Sequence, residues 1–441
     1  MVVVLLGRAG DRGDRSPWAG STPGPRGVGE GMDRTDQSEP RPRRPLPTGG
    51  WRPRGGTAGL LAGALLVGGC GTSGSGSPAP IGVVPPSTPQ APRTSSSADG
   101  TSSTPEPVVA GVPSGEAEVV VGDLPLPWSV AALPDGSALV SLRDEARVVR
   151  VTPEGEVVDV VSASPDGTVG GAAPAGEGGL LGLALSPGFA QDDLVYAYVT
   201  RAEDNAVVRA VLDGDALGEP EVLLEGIPRA QVHDGGRLAF GPDGMLYVTT
   251  GDAREAALAQ DPASLAGKIL RLAPDGAPAP GNPQEGSPVW SLGHRNVQGL
   301  GWDEQGRMYA TEFGADTWDE LNLVTAGANY GWPEFEGPGG DAAAREGFTD
   351  PVAWWSPAQA SPSGLAVVRD AVWVSALRGE RLWRVPVSTS PAGGPVGQPE
   401  PHLVGEHGRL RDVSPAPGGG ALWVLTNDGD GEDALLRVPL A

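Results

Sequence analysis

The sequence predicts an all-β protein, a six-bladed β-propeller with four-stranded antiparallel blades, and two observations support this prediction. First, the 441 residues include 69 Gly and 46 Pro, roughly twice the average share of these turn formers, which argues against a helical protein. Second, a turn containing Asp or Gly followed by an alternating strand recurs six times. Small antiparallel sheets that repeat at roughly 40–60 residues are typical of propeller blades.

The six recurring segments follow one another along the chain, at 133–142, 185–199, 240–249, 302–311, 368–375 and 414–426. Further alternating patterns at 146–151, 268–272, 381–385 and 435–439 supply additional strands, because period-two alternation marks strands that are buried on one face. We expect 118–121 to close the ring by pairing with the C-terminal blade, which would remove an exposed edge. Only 253–260 looks helical, which argues against a parallel α/β fold.

The N-terminal part, residues 1–69, is predicted to be an export signal. A basic region precedes an uncharged apolar run at 57–69, and small residues follow, as in secretory signals. The run has 13 residues and is too short for a spanning helix, which needs about 20. Cys70 follows the small residues directly, as in a bacterial lipobox. This predicts an exported protein, lipid-anchored at the outer face of the cytoplasmic membrane, with Met32 as a plausible true start.

The remaining chain divides at residue 116. Of the 46 residues from 71 to 116, 31 are Gly, Pro, Ser or Thr and none is aromatic. Such a segment buries too little apolar surface to offset its ordering entropy, so 70–116 is predicted to be a lipidated cysteine with a disordered tether. Residues 117–441 contain 20 of the 22 aromatic residues and are predicted to form the propeller and catalytic domain.

Charge and cysteine content exclude several kinds of partner and site. The net charge is −24, and because residues 1–69 carry ten basic and six acidic residues, the rest of the chain has a charge of −28. This acidity disfavours binding to nucleic acid and to anionic lipid, so we expect membrane contact only through the anchor. The one cysteine excludes internal disulfides and multi-cysteine metal sites.

Five segments break the strand pattern with polar or glycine-rich residues, namely 176–184, 232–238, 292–300, 311–333 and 409–412. Arginines within such loops of an acidic chain indicate an anionic ligand at the mouth of the propeller. A lone histidine such as His233 is more often structural than catalytic, so these residues alone leave its role open. We interpret His402, His407 and Lys268 as structural.

Taken together, the segments resemble the soluble quinoprotein glucose/sorbosone dehydrogenases, a family of six-bladed propellers that bind pyrroloquinoline quinone (PQQ) and calcium. The matching motifs lie at 233–237, 292–299, 319–333 and 409–412, in the family's order, and the resemblance covers about 170–441. It implies a PQQ-dependent aldose sugar dehydrogenase that oxidises the anomeric C1 hydroxyl to a lactone, with hydride transfer to the quinone. The aldose is then the substrate, and the electron acceptor stays unspecified.

The resemblance also implies roles for individual residues. His233 matches the general base, and Arg295 matches the arginine beside the quinone oxygens. The other implied cofactor-binding residues are Glu177, Asn296, Gln298, Arg378, Arg409 and Arg411. Arg378 stands where relatives often have Lys; it keeps the charge in a bulkier, forked form.

The implied metal sites use oxygen ligands, which calcium prefers. Gly314 and Ala315 match two backbone carbonyls that bind calcium beside the quinone. Glu320 and the carbonyl of Tyr330 match a second, structural calcium site.

The chain departs from the family pattern in three places. Asn427 stands where an Asp is common near the C-terminal arginines, with Asp428 adjacent, and the other two departures are from the glucose-oxidising members. Val232 replaces the Asp that precedes their histidine, and the segment 354–364 is short, which favours an open cleft like that of broad-specificity aldose dehydrogenases. Trp354 or Trp355 is expected to stack on the quinone.

Two alternatives stay open: a non-enzymatic propeller that binds a glycan or a protein, and a calcium-dependent hydrolase or lactonase. The latter ranks last because it needs several acidic side chains around one calcium.

Overall fold

A computed structural model describes residues 82–83, 111–388, 396–429 and 431–441. Helix is confined to α1 (Phe189–Asp192), α2 (Gly340–Glu346) and a 3-10 turn at Ala256–Gln260 within these residues. Strands make up most of the regular structure, so the all-β prediction is confirmed.

The strands are short and follow one another through tight turns. In chain order they are β1 (Gly82–Val83), β2 (Glu118–Leu124), β3 (Pro127–Ala132), β4 (Ala138–Leu142), β5 (Arg147–Val151), β6 (Val157–Ser162), β7 (Leu180–Leu185), β8 (Leu194–Thr200), β9 (Asn205–Asp213), β10 (Ala216–Leu217), β11 (Glu221–Ile227), β12 (Leu238–Phe240), β13 (Leu246–Thr249), β14 (Lys268–Leu272), β15 (Val289–Leu292), β16 (Val297–Trp302), β17 (Met308–Glu312), β18 (Asp319–Val324), β19 (Ala353–Trp355), β20 (Pro362–Val368), β21 (Ala371–Ala376), β22 (Arg381–Pro386), β23 (Glu400–His402), β24 (Leu410–Pro415), β25 (Ala421–Thr426) and β26 (Asp433–Pro439).

Hydrogen bonds join these strands into five sheets. Three are four-stranded: β12-β13-β14-β15, β20-β21-β22-β23 and β2-β26-β25-β24. A fourth, β16-β17-β18-β19, carries β1 as a fifth strand. The nine-stranded sheet contains β3-β4-β5-β6 and β7-β8-β9-β11, which the short β10 connects by pairing parallel to β6 and antiparallel to β9. The predicted count of six separate four-stranded sheets is therefore not reproduced by hydrogen bonding, because β10 joins two groups.

The sheets are arranged in a ring. The innermost strands β3, β7, β12, β16, β20 and β24 contact one another in succession, and β24 returns to β3. The predicted closure by the N-terminal strand is confirmed, since Glu118 to Leu124 pair antiparallel with Arg437 to Asp433 of β26.

The hydrophobic core lies between neighbouring strand groups of the ring. Six clusters of buried residues each combine side chains from two consecutive groups. Four tryptophans are almost completely buried in these layers, namely Trp128, Trp355, Trp373 and Trp383. Complete burial of one large apolar side chain stabilises the fold by about 1.5–3 kcal/mol, so these layers hold the loop ends in fixed positions.

The N-terminal segments are described only in part. The predicted signal, Cys70 and most of the tether lie outside the described residues. Within the tether, Gly82 pairs with Trp354 and Val83 with Ala353 of β19. Ordered contacts also begin before residue 117, because Gly111 N donates to Ala441 O (3.2 Å) and Ser114 N to Pro439 O (3.0 Å). Within the described part of the chain, no helix is long and apolar enough to cross a membrane.

Candidate active site

A cavity of about 480 Å³ opens at one end of the ring, where antiparallel strands bring alternate loops together. Ten residues that the sequence analysis singled out line this cavity: Glu177, His233, Arg295, Asn296, Gln298, Gly314, Ala315, Arg378, Arg409 and Arg411. Two others, Glu320 and Tyr330, line a small adjacent pocket. Loops from separate sheets thus converge as the sequence predicted.

Trp354 and Trp355 line neither space, so the expectation that one of them stacks on a cofactor in the cavity is wrong. The ring of Trp355 is completely buried and lies 5.8 Å from that of Trp383 in the core. Both tryptophans belong to β19, the fourth strand outward in its group. Trp128 and Phe313 are the aromatic residues that line the cavity.

His233 lies in the loop between β11 and β12, and its orientation is set by two carboxylates. Its backbone N–H donates to Glu177 Oε2 (3.1 Å), and its φ of 68° lies in the left-handed region, which is uncommon for a non-glycine residue. Its Nδ1 is 2.8 Å from Asp252 Oδ1. Because an ionised carboxylate only accepts hydrogen bonds, Nδ1 carries the proton and Nε2 is the basic nitrogen.

Asp252 is ionised and held from several sides. Burial opposes its ionisation, but the hydrogen bonds from His233, from Arg254 N (2.8 Å) and from Trp332 Nε1 (2.9 Å) outweigh burial and hold the pKa of Asp252 below its usual value. The neighbouring Gly251 cannot be replaced, because a Cβ there would overlap the carbonyl of His233. The loops of β11–β12 and β13–β14 are therefore packed directly together.

Arg411 is a buried cation whose partners are neutral. Its Nη1 donates to Gln298 Oε1 (3.0 Å) and its Nη2 to Asn427 Oδ1 (2.9 Å). Its Nε is buried and has no hydrogen-bond partner. Burial, together with the charges of Arg143 and Arg409, lowers the pKa of Arg411 to about 9. Among the described residues no carboxylate pairs with Arg411, so this wall of the cavity is complementary to an anion.

Two other arginines of the cavity, Arg295 and Arg409, also have side chains that donate to neutral groups, whereas Arg143 pairs with Asp144. Arg295 Nη1 donates to Phe313 O (3.3 Å), and its guanidinium lies 5.4 Å from the centre of the Trp332 ring. Its Nε is buried without a partner. Arg409 Nε donates to Asn427 O (3.1 Å). Arg378 is exposed at the rim.

The carbonyls of Gly314 and Ala315 lie in a loop whose N–H groups are fixed by acids. Gly314 N donates to Asp319 Oδ1 (2.9 Å). Ala315 N donates to Glu336 Oε1 (2.7 Å), and that oxygen also accepts from the next three backbone N–H groups. Neither carbonyl accepts a hydrogen bond from any residue that the structure describes, so both are available to a cation. Burial raises the pKa of Asp319 to about 6.

The adjacent pocket, with room for about one water-sized particle (10 Å³), lies beside two buried acids. Burial and the charge of Glu312 raise the pKa of Glu320 to about 8. Glu320 accepts from Gly337 N (2.7 Å) and Asn322 Nδ2 (3.0 Å), while Asn322 Oδ1 is buried without a partner. In the described part of the chain no three His, Cys, Asp or Glu side chains cluster as metal ligands, so a cation here would need carbonyl oxygens.

The sequence model of the Glucose / Sorbosone dehydrogenase family matches residues 124–437. The chain belongs to this family. It is 48% identical to the PQQ-bound aldose sugar dehydrogenase of Streptomyces coelicolor, with a TM-score of 0.69 over 75% of this chain and 100% of that structure. It is 28% identical to the aldose sugar dehydrogenase YliI of Escherichia coli over 73% of this chain and 92% of the relative. Identity to quinoprotein glucose dehydrogenase B of Acinetobacter calcoaceticus is 31%, over about half of each chain.

The family members named here are sugar dehydrogenases, and family and fold together support sugar dehydrogenase activity on a propeller scaffold. The polar residues of this site that the sequence analysis missed include Arg143, Asp252, Asp319 as a cavity residue, and Glu336. Asp252 could have been identified from the sequence, because it follows the predicted strand 240–249 closely and comes directly after a glycine.

Proposed function

We propose that this family member is a calcium-dependent, PQQ-dependent aldose dehydrogenase on a six-bladed propeller, which oxidises the C1 hydroxyl of an aldose to the lactone. The observation that carries the proposal is that buried Arg411, which lacks an anionic partner among the described residues, lines the same cavity as His233, the partner of Asp252.

The residues present fit an acidic quinone. Arg295 and Arg411 each have a buried Nε without a hydrogen-bond partner, and Arg378 and Arg409 line the same cavity. A ligand with several carboxylates would supply the missing acceptors, and charge-assisted bonds to guanidinium groups are the strong ones. Arg409 and Arg411 would hold carboxylates, with Glu177, Asn296 and Gln298 beside them.

The residues also fit calcium, which takes six to eight oxygen ligands. Gly314 and Ala315, whose carbonyls accept no hydrogen bond from the described residues, line the cavity beside Asp319. In the second pocket, Glu320 and the unpartnered Asn322 Oδ1 offer oxygens, and the Tyr330 carbonyl is our proposed further ligand. A divalent cation there would offset the repulsion between Glu312 and Glu320.

The chain's own residues would move the proton. When bound, PQQ supplies the two-electron acceptor and calcium supplies Lewis-acid polarisation. His233 Nε2 takes the proton of the C1 hydroxyl, which turns the ring into an imidazolium. Asp252, which accepts the hydrogen bond from Nδ1–H, stabilises that positive charge. Arg295, aimed into the cavity, stabilises negative charge that develops there.

Two variants test the proposal after reconstitution with PQQ and calcium. His233→Ala is expected to bind PQQ, measured by absorbance, yet to reduce dye with aldoses about 10²–10⁴-fold more slowly. Arg411→Met is expected to lose about 2–5 kcal/mol of PQQ binding and to recover activity as PQQ is raised. Arg271→Met, which replaces a buried arginine that does not line the cavity, is the control. A wild type that binds no PQQ with calcium present contradicts the proposal and favours the binding propeller.

We also propose the lipid anchor at Cys70, supported by the basic region, the short apolar run and the small residues before it. Cys70→Ala is expected to release the protein from membranes or to leave the signal uncut. A variant that fractionates and migrates like the wild type would refute the anchor.

A further inference from the structure

Lys268 is the only lysine of the chain, and it lies completely buried at the start of β14. Its Nζ donates to the carbonyls of Leu258 (2.8 Å), Ala259 (3.0 Å) and Ala266 (2.7 Å). An ammonium group has three N–H donors, and here each one has an acceptor. We refer to these three carbonyls as the Lys268 cage.

The cage excludes a direct role for Lys268 in binding or chemistry. The side chain does not line the cavity, and none of its donors is free to reach a ligand. Among the described residues no carboxylate lies within ion-pair distance of Nζ; the charge of Asp261 acts only from farther away. Burial lowers the pKa of Lys268 to about 8, which still leaves the amine mostly charged at neutral pH.

The loop between β13 and β14 begins at Thr250 and carries Asp252. The cage joins the 3-10 turn in the middle of this loop to its end at Ala266, and further bonds join that end to the beginning of the loop. Lys268 N donates to Thr250 Oγ1 (2.9 Å), and that hydroxyl donates to Leu265 O (2.7 Å). Gly267 N donates to Gly251 O (2.8 Å). Residues next to the cage are thus bonded directly to the residues next to Asp252.

The same loop is also bonded to the segment that carries Arg295. Ala259 O, a member of the cage, accepts from Gly293 N (3.0 Å), and Asp252 N donates to Arg295 O (2.7 Å). Without the ammonium, the carbonyl of Ala266 would be buried with no partner, since no other described donor reaches it. A buried carbonyl without a partner favours a rearranged loop.

We propose that Lys268 is a positioning residue, an internal cation that fixes the middle of the β13–β14 loop to its end and thereby holds Asp252 against His233. The inference rests on the proposed role of His233, but its geometry can be tested without sugar or quinone. It replaces the purely structural interpretation of Lys268, because a defect in the cage is transmitted to the base.

The first test compares Lys268→Met with Arg384→Met. Arg384 on β22 is also buried, pairs with Asp370 and with Glu400 of β23, and does not line the cavity, so its loss destabilises the fold without touching the loop. We expect both variants to melt earlier. Only Lys268→Met should lower kcat, by about 10–100-fold, with PQQ affinity within about threefold of the wild type.

The second readout uses neither PQQ nor sugar. The downfield Nδ1–H resonance of His233, bonded to Asp252, is expected in the wild type and in Arg384→Met and to be lost in Lys268→Met. If Lys268→Met keeps this resonance and full kcat, the positioning role is wrong. If Lys268→Met loses the resonance but neither the wild type nor any variant oxidises aldoses, the positioning role of Lys268 is supported and the proposed function is wrong.

A measurement on the wild type covers the case in which Lys268→Met does not fold. Labelling with 15N-lysine gives a single side-chain signal because the chain has one lysine. The cage predicts a protected ammonium with slowly exchanging protons. A rapidly exchanging ammonium would overturn the proposal whatever the variants do.

Discussion

At the scale of single residues, the site depends on partners that are distant in sequence. The motif around His233 predicted the base, but Asp252 comes 19 residues later in a stretch without a motif. Arg411 was also predicted, whereas its partner Asn427 belongs to the next strand connection. Loop motifs are local and can be recognised in one sequence. Hydrogen bonds across the mouth depend on how the sheets meet, and no local pattern encodes them.

The role of Asp252 is tested by Asp252→Asn. The amide keeps the size of the side chain but can also donate to Nδ1, so it permits the wrong imidazole tautomer and does not stabilise the imidazolium. We expect kcat with aldoses to fall by about 10²–10⁴-fold while PQQ still binds, measured by dye reduction and absorbance titration. Asp135→Asn, at an exposed turn that does not line the cavity, should behave like the wild type. Full kcat in Asp252→Asn would show that the pair does not act in the chemical step.

At the scale of elements, strands were easier to predict than the loops that join them. The alternating segments became β4, β8, β13, β17, β21 and β25 because turn and strand are both local features. The two-residue strands β1 and β10 were not predicted, since two residues carry no periodicity. The loop 313–318 was predicted as a ligand loop, but its organiser Glu336 comes from a separate connection.

Glu336 is predicted to shape the loop 313–318, which carries the proposed calcium ligands Gly314 and Ala315. Its charge is favoured because four backbone N–H groups outweigh the burial that opposes ionisation, which holds the pKa of Glu336 below its usual value. Glu336→Ala should leave these N–H groups without their acceptor and weaken calcium binding by about 10–100-fold, the usual cost of losing such an outer partner. Calorimetric titration with calcium measures the loss. Glu334→Ala, two residues away and exposed, is the matched control, and equal affinities in the two variants would contradict this role.

The pairing of β1 with β19 is predicted to protect an outer strand edge. Replacing both Gly82 and Val83 by proline removes both backbone donors of β1. Amide hydrogen exchange at Ala353 and Trp354 should then accelerate, measured by mass spectrometry on the full chain. Ser96→Pro, elsewhere in the Ser-rich part of the same segment, should leave that exchange unchanged. Unchanged exchange in the double variant would mean that β1 does not cover this edge.

At the scale of the whole molecule, the closed ring explains why the cavity is rigid enough to hold unpaired arginines. Each of the six core clusters joins two consecutive strand groups, so no group can move without disturbing two layers. The ring and its closure by 118–121 were predicted from the repeat. The connection of the first two strand groups through β10 was not predicted. It depends on where the segment after β9 contacts β6, and no local sequence pattern encodes that contact.

Ring closure itself is tested by comparing chains that begin at residues 111 and 125. The shorter chain lacks β2, so β26 becomes an open edge. Val120, Val121 and Leu124 are also lost from the core cluster between the sheet of β24–β26 and the strands β3–β5. Their combined burial is worth about 3–6 kcal/mol, since two are only partly buried, and an open edge invites pairing with another chain. We expect the chain from 125 to melt earlier and to self-associate, measured by calorimetry and sedimentation, while the chain from 111 stays monodisperse. Equal melting of the two would mean that the last sheet is closed by its other strands alone.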